Sequence, residues 1–167
     1  MMRVLVAGIG NVFFGDDSFG CVVARELSCR TLPEGVTVRD FGIRGLDLAF
    51  ELVEGYDAAI FVDALPRGGR PGTLYVLEPE LGQADAGGIG WDAHGLTPEQ
   101  VLRTVRAIGG KLPVLRVVGC EPAQFGDELD PKGGISEIVS AQVPEAVRLV
   151  LEVLAELGFG SEAEAVA

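Results

Sequence analysis

Arg3-Val4-Leu5-Val6-Ala7-Gly8-Ile9-Gly10-Asn11-Val12-Phe13-Phe14-Gly15-Asp16-Asp17-Ser18-Phe19-Gly20 opens the chain with an apolar run, a glycine-punctuated loop and two adjacent acids. The short β-branched run predicts a strand over residues 3–8. Beyond Asp16-Asp17, the apolar residues Phe19, Val22, Val23 and Leu27 recur on one helical face. The opening therefore reads as strand, loop, helix. The same reading places further strands at 36–41, 58–64, 73–77 and 113–120, with helical patterns between most of them. One helix covers about 46–53 and stops at Gly55. Another starts at Thr97-Pro98-Glu99-Gln100, a capping box with proline at the first helical position. It carries Val101, Leu102, Val105 and Ile108 inward. The last helix runs to Leu157 with Gly158 as its C-cap, and Pro144 either starts it or kinks a longer one begun near Ser136.

Alternation of strands and helices predicts a single-domain α/β fold: a three-layer sandwich with helices on both faces of a five-stranded, mostly parallel sheet. Only eight residues, 65–72, join the third strand to the fourth, and they include Pro66, Gly68, Gly69, Pro71 and Gly72. That is too short for a parallel crossover, so these two strands are expected to form an antiparallel hairpin and make the sheet mixed. The domain is expected to span 1–158, with a frayed Glu/Ala-rich tail at 159–167.

The bulk numbers narrow the function classes. With 167 residues, 48% hydrophobic and 23% charged, the chain can bury one sizeable core and is not a disordered sequence. A net charge of −12 repels phosphate backbones and argues against nucleic acid as a partner. It suits a basic protein partner or a cation as well as a plain acidic surface. Cys21, Cys29 and Cys120 are odd in number and form no CxxC, so neither a disulfide framework nor a thiolate zinc site is expected. They suit the reducing cytoplasm. The apolar start breaks at Gly8 and Gly10 and soon meets Asp16-Asp17, too early for a signal peptide, and no stretch approaches a membrane span of about 20 apolar residues.

Candidate chemistry gathers where strands end, because ligands of open α/β sheets bind beyond the strands' carboxyl ends. Gly8-Ile9-Gly10-Asn11 begins like the dinucleotide fingerprint, but Phe13 stands where its third glycine belongs. Gly10 then means a tight turn that admits a close approach to the backbone. Asp40, at the end of the second strand, keeps a small nucleotide-binding domain among the alternatives. Asp63 ends an otherwise apolar strand, where an acid is costly unless something pairs with it. Asp17 lies at a helix start, and Glu121 follows the fifth strand. Asp16 reads as a helix N-cap. His94 is the single histidine, in a loop after Gly87-Gly88-Ile89-Gly90. Two carboxylates and an imidazole would suit a borderline divalent ion. A Cys120–His94 hydrolase is a further possibility, although a cysteine ending a buried strand is more often a small core residue.

Five segments in order resemble the [NiFe]-hydrogenase maturation endopeptidases. They are residues 8–20 above, Asp40-Phe41-Gly42-Ile43-Arg44-Gly45-Leu46-Asp47-Leu48, Val62-Asp63-Ala64, His94-Gly95-Leu96 and Gly119-Cys120-Glu121-Pro122. The resemblance covers residues 3–157. It implies a five-stranded mixed sheet between helices and a metal-binding, catalytic set of Asp17, Asp63 and His94, with Gly10, Asn11, Asp16, Asp40 and Glu121 in support. It also implies an activity, the removal of a C-terminal extension from a hydrogenase large-subunit precursor by an aspartic or metallo-type endopeptidase. The nickel arrives with the substrate; zinc or cadmium could take its place. The first ligand is often glutamate in that family, and glycine is common where Ser18 stands here. A non-cleaving nickel-sensing chaperone of the precursor is the alternative of another class.

Overall fold

The computed structural model describes residues 1–79 and 97–159. Five strands, β1 (Val4–Ile9), β2 (Val36–Gly42), β3 (Ala58–Ala64), β4 (Leu74–Leu77) and β5 (Val114–Cys120), form one sheet in the order β2-β1-β3-β5-β4. β1 pairs in parallel with β2 and β3, and β3 in parallel with β5. Every residue of β1 and β3 is buried. These runs, apolar but for Asp63 near the end of β3, suit central parallel strands, which are covered on both faces.

Helices α1 (Phe19–Ser28) and α5 (Val143–Glu156) cover one face, where Phe19, Val23, Leu27, Val147 and Val150 pack against Val4, Val6 and Ile60. Helices α2 (Gly45–Val53) and α3 (Pro98–Ala107) cover the other, where Leu48, Leu52, Val101 and Val105 pack against Leu5, Phe61 and Val117. The expected three-layer α/β sandwich is therefore present. The Thr97 capping box is formed in full: its hydroxyl accepts from Gln100 N–H at 3.2 Å and its N–H donates to Gln100 Oε1 at 3.3 Å. Ile108, expected inward, lies one residue past the end of α3 and is 43% exposed. Pro144 starts a new helix, because α4 (Glu137–Ser140) ends three residues before α5 begins. Gly158, at φ 102°, closes α5 as expected, with its own N–H bonded to Ala155 O and Phe159 N–H to Leu154 O. Phe159 also packs against the core. The remainder of the expected tail, 160–167, lies outside the described residues.

The hairpin between β3 and β4 is not formed. β4 is antiparallel as expected, but its partner is β5, which lies between it and β3. The link over residues 65–73 has to cross only two strand spacings, about 10 Å, at the carboxyl edge of the sheet. Eight or nine residues reach that distance easily, although they could not return along a whole strand. The result is an arch over the end of β5, bonded to it at Leu65 N–H to Cys120 O, Gly72 N–H to Glu121 O and Glu121 N–H to Thr73 O, each 2.8 Å.

Candidate active site

The carboxyl ends of β1 and β3 meet the amino end of α1 at backbone contact. A Cβ at Gly20 would stand 2.0 Å from Val62 O, so only glycine lets the helix settle onto the strands there. Past β1 the chain turns at Gly10 (φ 136°), where a Cβ would stand 1.7 Å from Asp17 O. The close approach that the glycine permits is that of the chain's own Asp17 backbone. Asn11 N–H then donates to Asp17 Oδ2 at 2.9 Å, while Asn11 Oδ1 accepts from Phe13 N–H at 2.9 Å. Gly10 and Asn11 thus place the Asp17 carboxylate at the end of β1.

Asp63 stands at the end of β3, 7% exposed. Among the described residues its hydrogen bond comes from Ala64 N–H, at 2.7 Å. Burial pushes its carboxyl well above the ordinary value, and the neighbouring Asp17 charge pushes it further; the Ala64 N–H opposes both only in part. A buried acid facing a second acid is a place where a cation would relieve both burial and repulsion. The donor set of two carboxylates accordingly fits a divalent ion. His94 lies outside the described residues, and among those described no group of three potential ligands occurs.

The other acids have different tasks. Asp16 is wholly buried, and the short 3-10 turn Asp16–Ser18 has no side-chain cap. The expected N-cap role is therefore not what the residue does. Its Oδ2 accepts from Ala123 N–H, Gln124 N–H and the Ser136 hydroxyl at 2.8–2.9 Å, and its Oδ1 from Ser136 N–H at 2.7 Å. Asp16 faces away from the first turn and staples a segment more than 100 residues distant. Asp40 folds its own loop: Oδ1 accepts from Gly42 N–H at 3.0 Å and Oδ2 faces Arg25 at 3.2 Å. Gly10 N–H donates to Gly42 O at 3.0 Å, tying that loop to the first one. Glu121, 5% exposed, holds the arch. It accepts from Arg67 N–H at 2.8 Å, Gly68 N–H at 3.1 Å and the Tyr75 hydroxyl at 2.9 Å. Burial pushes its carboxyl up, but these bonds and one from Gly69 N–H outweigh burial and hold it below the ordinary value. The partners Ser136 and Tyr75 carry no local sequence signal, since each meets its acid only through the fold.

Two earlier alternatives lose ground on this geometry. A pyrophosphate beside Gly8 and Gly10 would face Asp17 and Asp63, and Asp40 is engaged by Arg25 and Gly42, so among the described residues this loop offers a nucleotide no anion site. The Cys120 thiol is wholly buried and donates to Glu121 O at 3.6 Å. Burial, then the Asp16 and Glu121 charges, push it up to about 12, far from a thiolate at neutral pH.

The buried Asp63 beside the half-buried Asp17, at the carboxyl ends of the strands of a three-layer α/β sandwich, marks a ligand-binding site of the α/β class. Comparison with known proteins makes this specific. The hydrogenase maturation protease family HycI matches residues 21–153. The chain is 33% identical over 150 residues to a putative hydrogenase maturation protease of Methanocaldococcus jannaschii, covering 89% of this chain and 94% of that protein. It is 31% identical over 160 residues to the hydrogenase 2 maturation protease of Escherichia coli, covering 94% and 93%. Among solved structures, the hydrogenase maturating endopeptidase HybD of E. coli superposes with a TM-score of 0.76 at 30% identity, over 94% of each chain. The [NiFe] hydrogenase maturation protease HycI of Thermococcus kodakarensis gives 0.73 at 25% identity, over 92% and 93%. This chain belongs to the hydrogenase maturation protease family, a family of peptidases.

Proposed function

We propose that this protein removes the C-terminal extension of a [NiFe]-hydrogenase large-subunit precursor once nickel has been inserted, with Asp17, Asp63 and His94 engaging the nickel that the precursor carries. The observation that supports this reading best is the Asp63–Asp17 pair: a buried carboxyl, destabilised by burial and by its neighbour, at the mouth of the site. Such a pair is a poor structural device and a good receptor for positive charge. With no thiolate among the three residues, the site would hold a free ion loosely, so nickel bound to the precursor is the fitting source, and zinc or cadmium could substitute. Nickel belongs to the substrate here and supplies charge that orients the scissile segment and polarises a carbonyl.

The chain's own residues do the rest. Asn11 N–H fixes Asp17 in place, and Ala64 N–H fixes Asp63. The two carboxylates, neutralised on engagement, align the peptide and hold or pass a proton next to the bond that breaks. The described cysteines are all free, which suits work in the cytoplasm, and among the described residues no helix is long and apolar enough to cross a membrane.

The test is incubation with a tail-bearing large subunit prepared with and without nickel, reading tail loss by mass after metal analysis of the enzyme. Cleavage of the nickel-loaded precursor alone, by an enzyme that carries no stoichiometric metal, is expected. Binding without tail loss would favour the chaperone alternative. Efficient cutting of the nickel-free precursor would refute the role given to nickel.

A further inference from the structure

The arch at residues 65–73 is held more firmly than its glycines and prolines require. Three backbone bonds join it to the end of β5, and the Glu121 carboxylate accepts from the Arg67, Gly68 and Gly69 N–H groups and from Tyr75. It carries two arginines, Arg67 and Arg70, both exposed. The Arg67 guanidinium stands 5.5 Å over the Tyr75 ring, whose hydroxyl is bonded to Glu121. That contact is itself electrostatic and restrains the side chain while leaving it without an ion-pair partner among the described residues.

Elsewhere most described cations are engaged: the Arg3 guanidinium donates to Glu54 O and Gly55 O and stacks on Tyr56, and Arg30 pairs with Glu26. Arg25, Arg39, Arg44, Arg116 and Arg148 each lie against a carboxylate, as does Lys132. Among the described residues Arg67 and Arg70 have no such partner. Lys111 has none either, but it lies at the opposite, amino-terminal edge of the sheet, just before β5. Glu121 forms no ion pair with Arg67 among the described residues; its oxygens accept from backbone N–H groups and the Tyr75 hydroxyl. Two guanidinium groups without an ion-pair partner among the described residues, in a chain of net charge −12, thus stand on the arch at the carboxyl edge of the sheet, the edge that also holds Asp17 and Asp63. Arg67 is four residues from Asp63, so its backbone lies within about 14 Å of it.

We propose that Arg67 and Arg70 read a carboxylate in the precursor's extension, a few residues from the scissile bond. This rests on the function proposed above and adds its substrate preference. A guanidinium fork binds a carboxylate bidentately and with direction. The −12 charge of the whole chain repels acidic peptides in general, whereas the arginine pair attracts an acid only at one distance from the site. The combination selects position as well as charge. An extended peptide advances about 3.3 Å per residue, which puts the preferred acid three to five residues beyond the bond.

The experiment uses one nickel-loaded precursor with three extensions that differ only at those positions, carrying aspartate, asparagine or lysine. Wild type, Arg67→Lys and the double variant Arg67→Gln/Arg70→Gln are compared for precursor binding and for tail loss, with circular dichroism as the folding control. Wild type should bind the aspartate form about tenfold more tightly than the asparagine form, and the lysine form most weakly. The same ranking should appear in KM with kcat changed less than about twofold. The double variant should lose the ranking, and Arg67→Lys should retain part of it. Binding indifferent to the extension's charge, or a ranking that survives in the double variant, overturns the proposal. A charge-ranked binding with no tail loss by wild type would uphold the arginines and instead remove the cleavage activity on which the KM comparison depends.

Discussion

Asp16 and Asp63 are both buried aspartates at the same end of the sheet, and they have opposite surroundings. Asp16 accepts four hydrogen bonds from Ala123, Gln124 and Ser136. Among the described residues Asp63 accepts one, from the residue next to it, and faces the Asp17 charge. A carboxylate met by several donors is a structural joint, because removing it would strand those donors. A carboxylate that burial and a like charge both disfavour stabilises nothing, and its presence points to a partner that arrives later. The difference separates two acids that composition and position alone would rank together. It also separates Asp16 from Asp17, its immediate neighbour in sequence.

The largest effect is expected for His94→Ala, which should bring processing below detection with unchanged circular dichroism. Normal tail loss would remove His94 from the site. Asp16→Ala should act on the fold: three N–H groups and a hydroxyl lose their acceptor, costing about 3 kcal/mol in urea unfolding. A loss under about 1 kcal/mol would mean that the staple carries little. A subtler difference lies in the pH dependence. Folded Asp63 holds its proton more tightly than the unfolded chain does, so its contribution to stability is most favourable at low pH. That contribution declines as pH rises past the ordinary aspartate value, about 3.9, until the raised folded value is passed. Urea midpoints measured from about pH 4 upward should show this decline in wild type and not in the Asp63→Asn variant; parallel curves would place the slope elsewhere. The smallest effect is expected for Cys120→Ala. It should keep full activity and lose about 1 kcal/mol of stability, as for other small core truncations. Loss of activity with a trapped acyl-thioester in wild type would restore the cysteine reading.

The sheet was legible wherever the information was local. The strand end at Gly8, the helix stop at Gly55, the Thr97 capping box and the Gly158 cap each follow from a few neighbouring residues, and the structure places them within a residue or two. The position of β5 was not local. The short link at 65–72 rightly excluded a parallel return, but nothing in it says that a strand about 40 residues later will slip between β3 and β4. Asp16 shows the same limit. An acid ahead of a helix predicts a cap, yet its partners lie at 123–136, where no neighbouring residue announces them. Ile108 failed for a smaller reason, since the helical period was carried one residue beyond the helix. Within the site, Asp17 and Asp63 could be picked out as acids at strand ends. Their mutual repulsion could not, because it depends on the contact between Gly20 and β3.

Asp63→Asn tests the central contrast most directly, with urea unfolding and tail loss on nickel-loaded precursor measured on one preparation. Asparagine keeps an oxygen for Ala64 N–H and removes the charge that burial and Asp17 oppose. The expected result is a urea midpoint at about pH 7 equal to or above that of wild type, together with no detectable tail loss. A variant that processes the precursor normally, or one that unfolds at clearly lower urea, would contradict the assignment of Asp63 to function rather than to the fold.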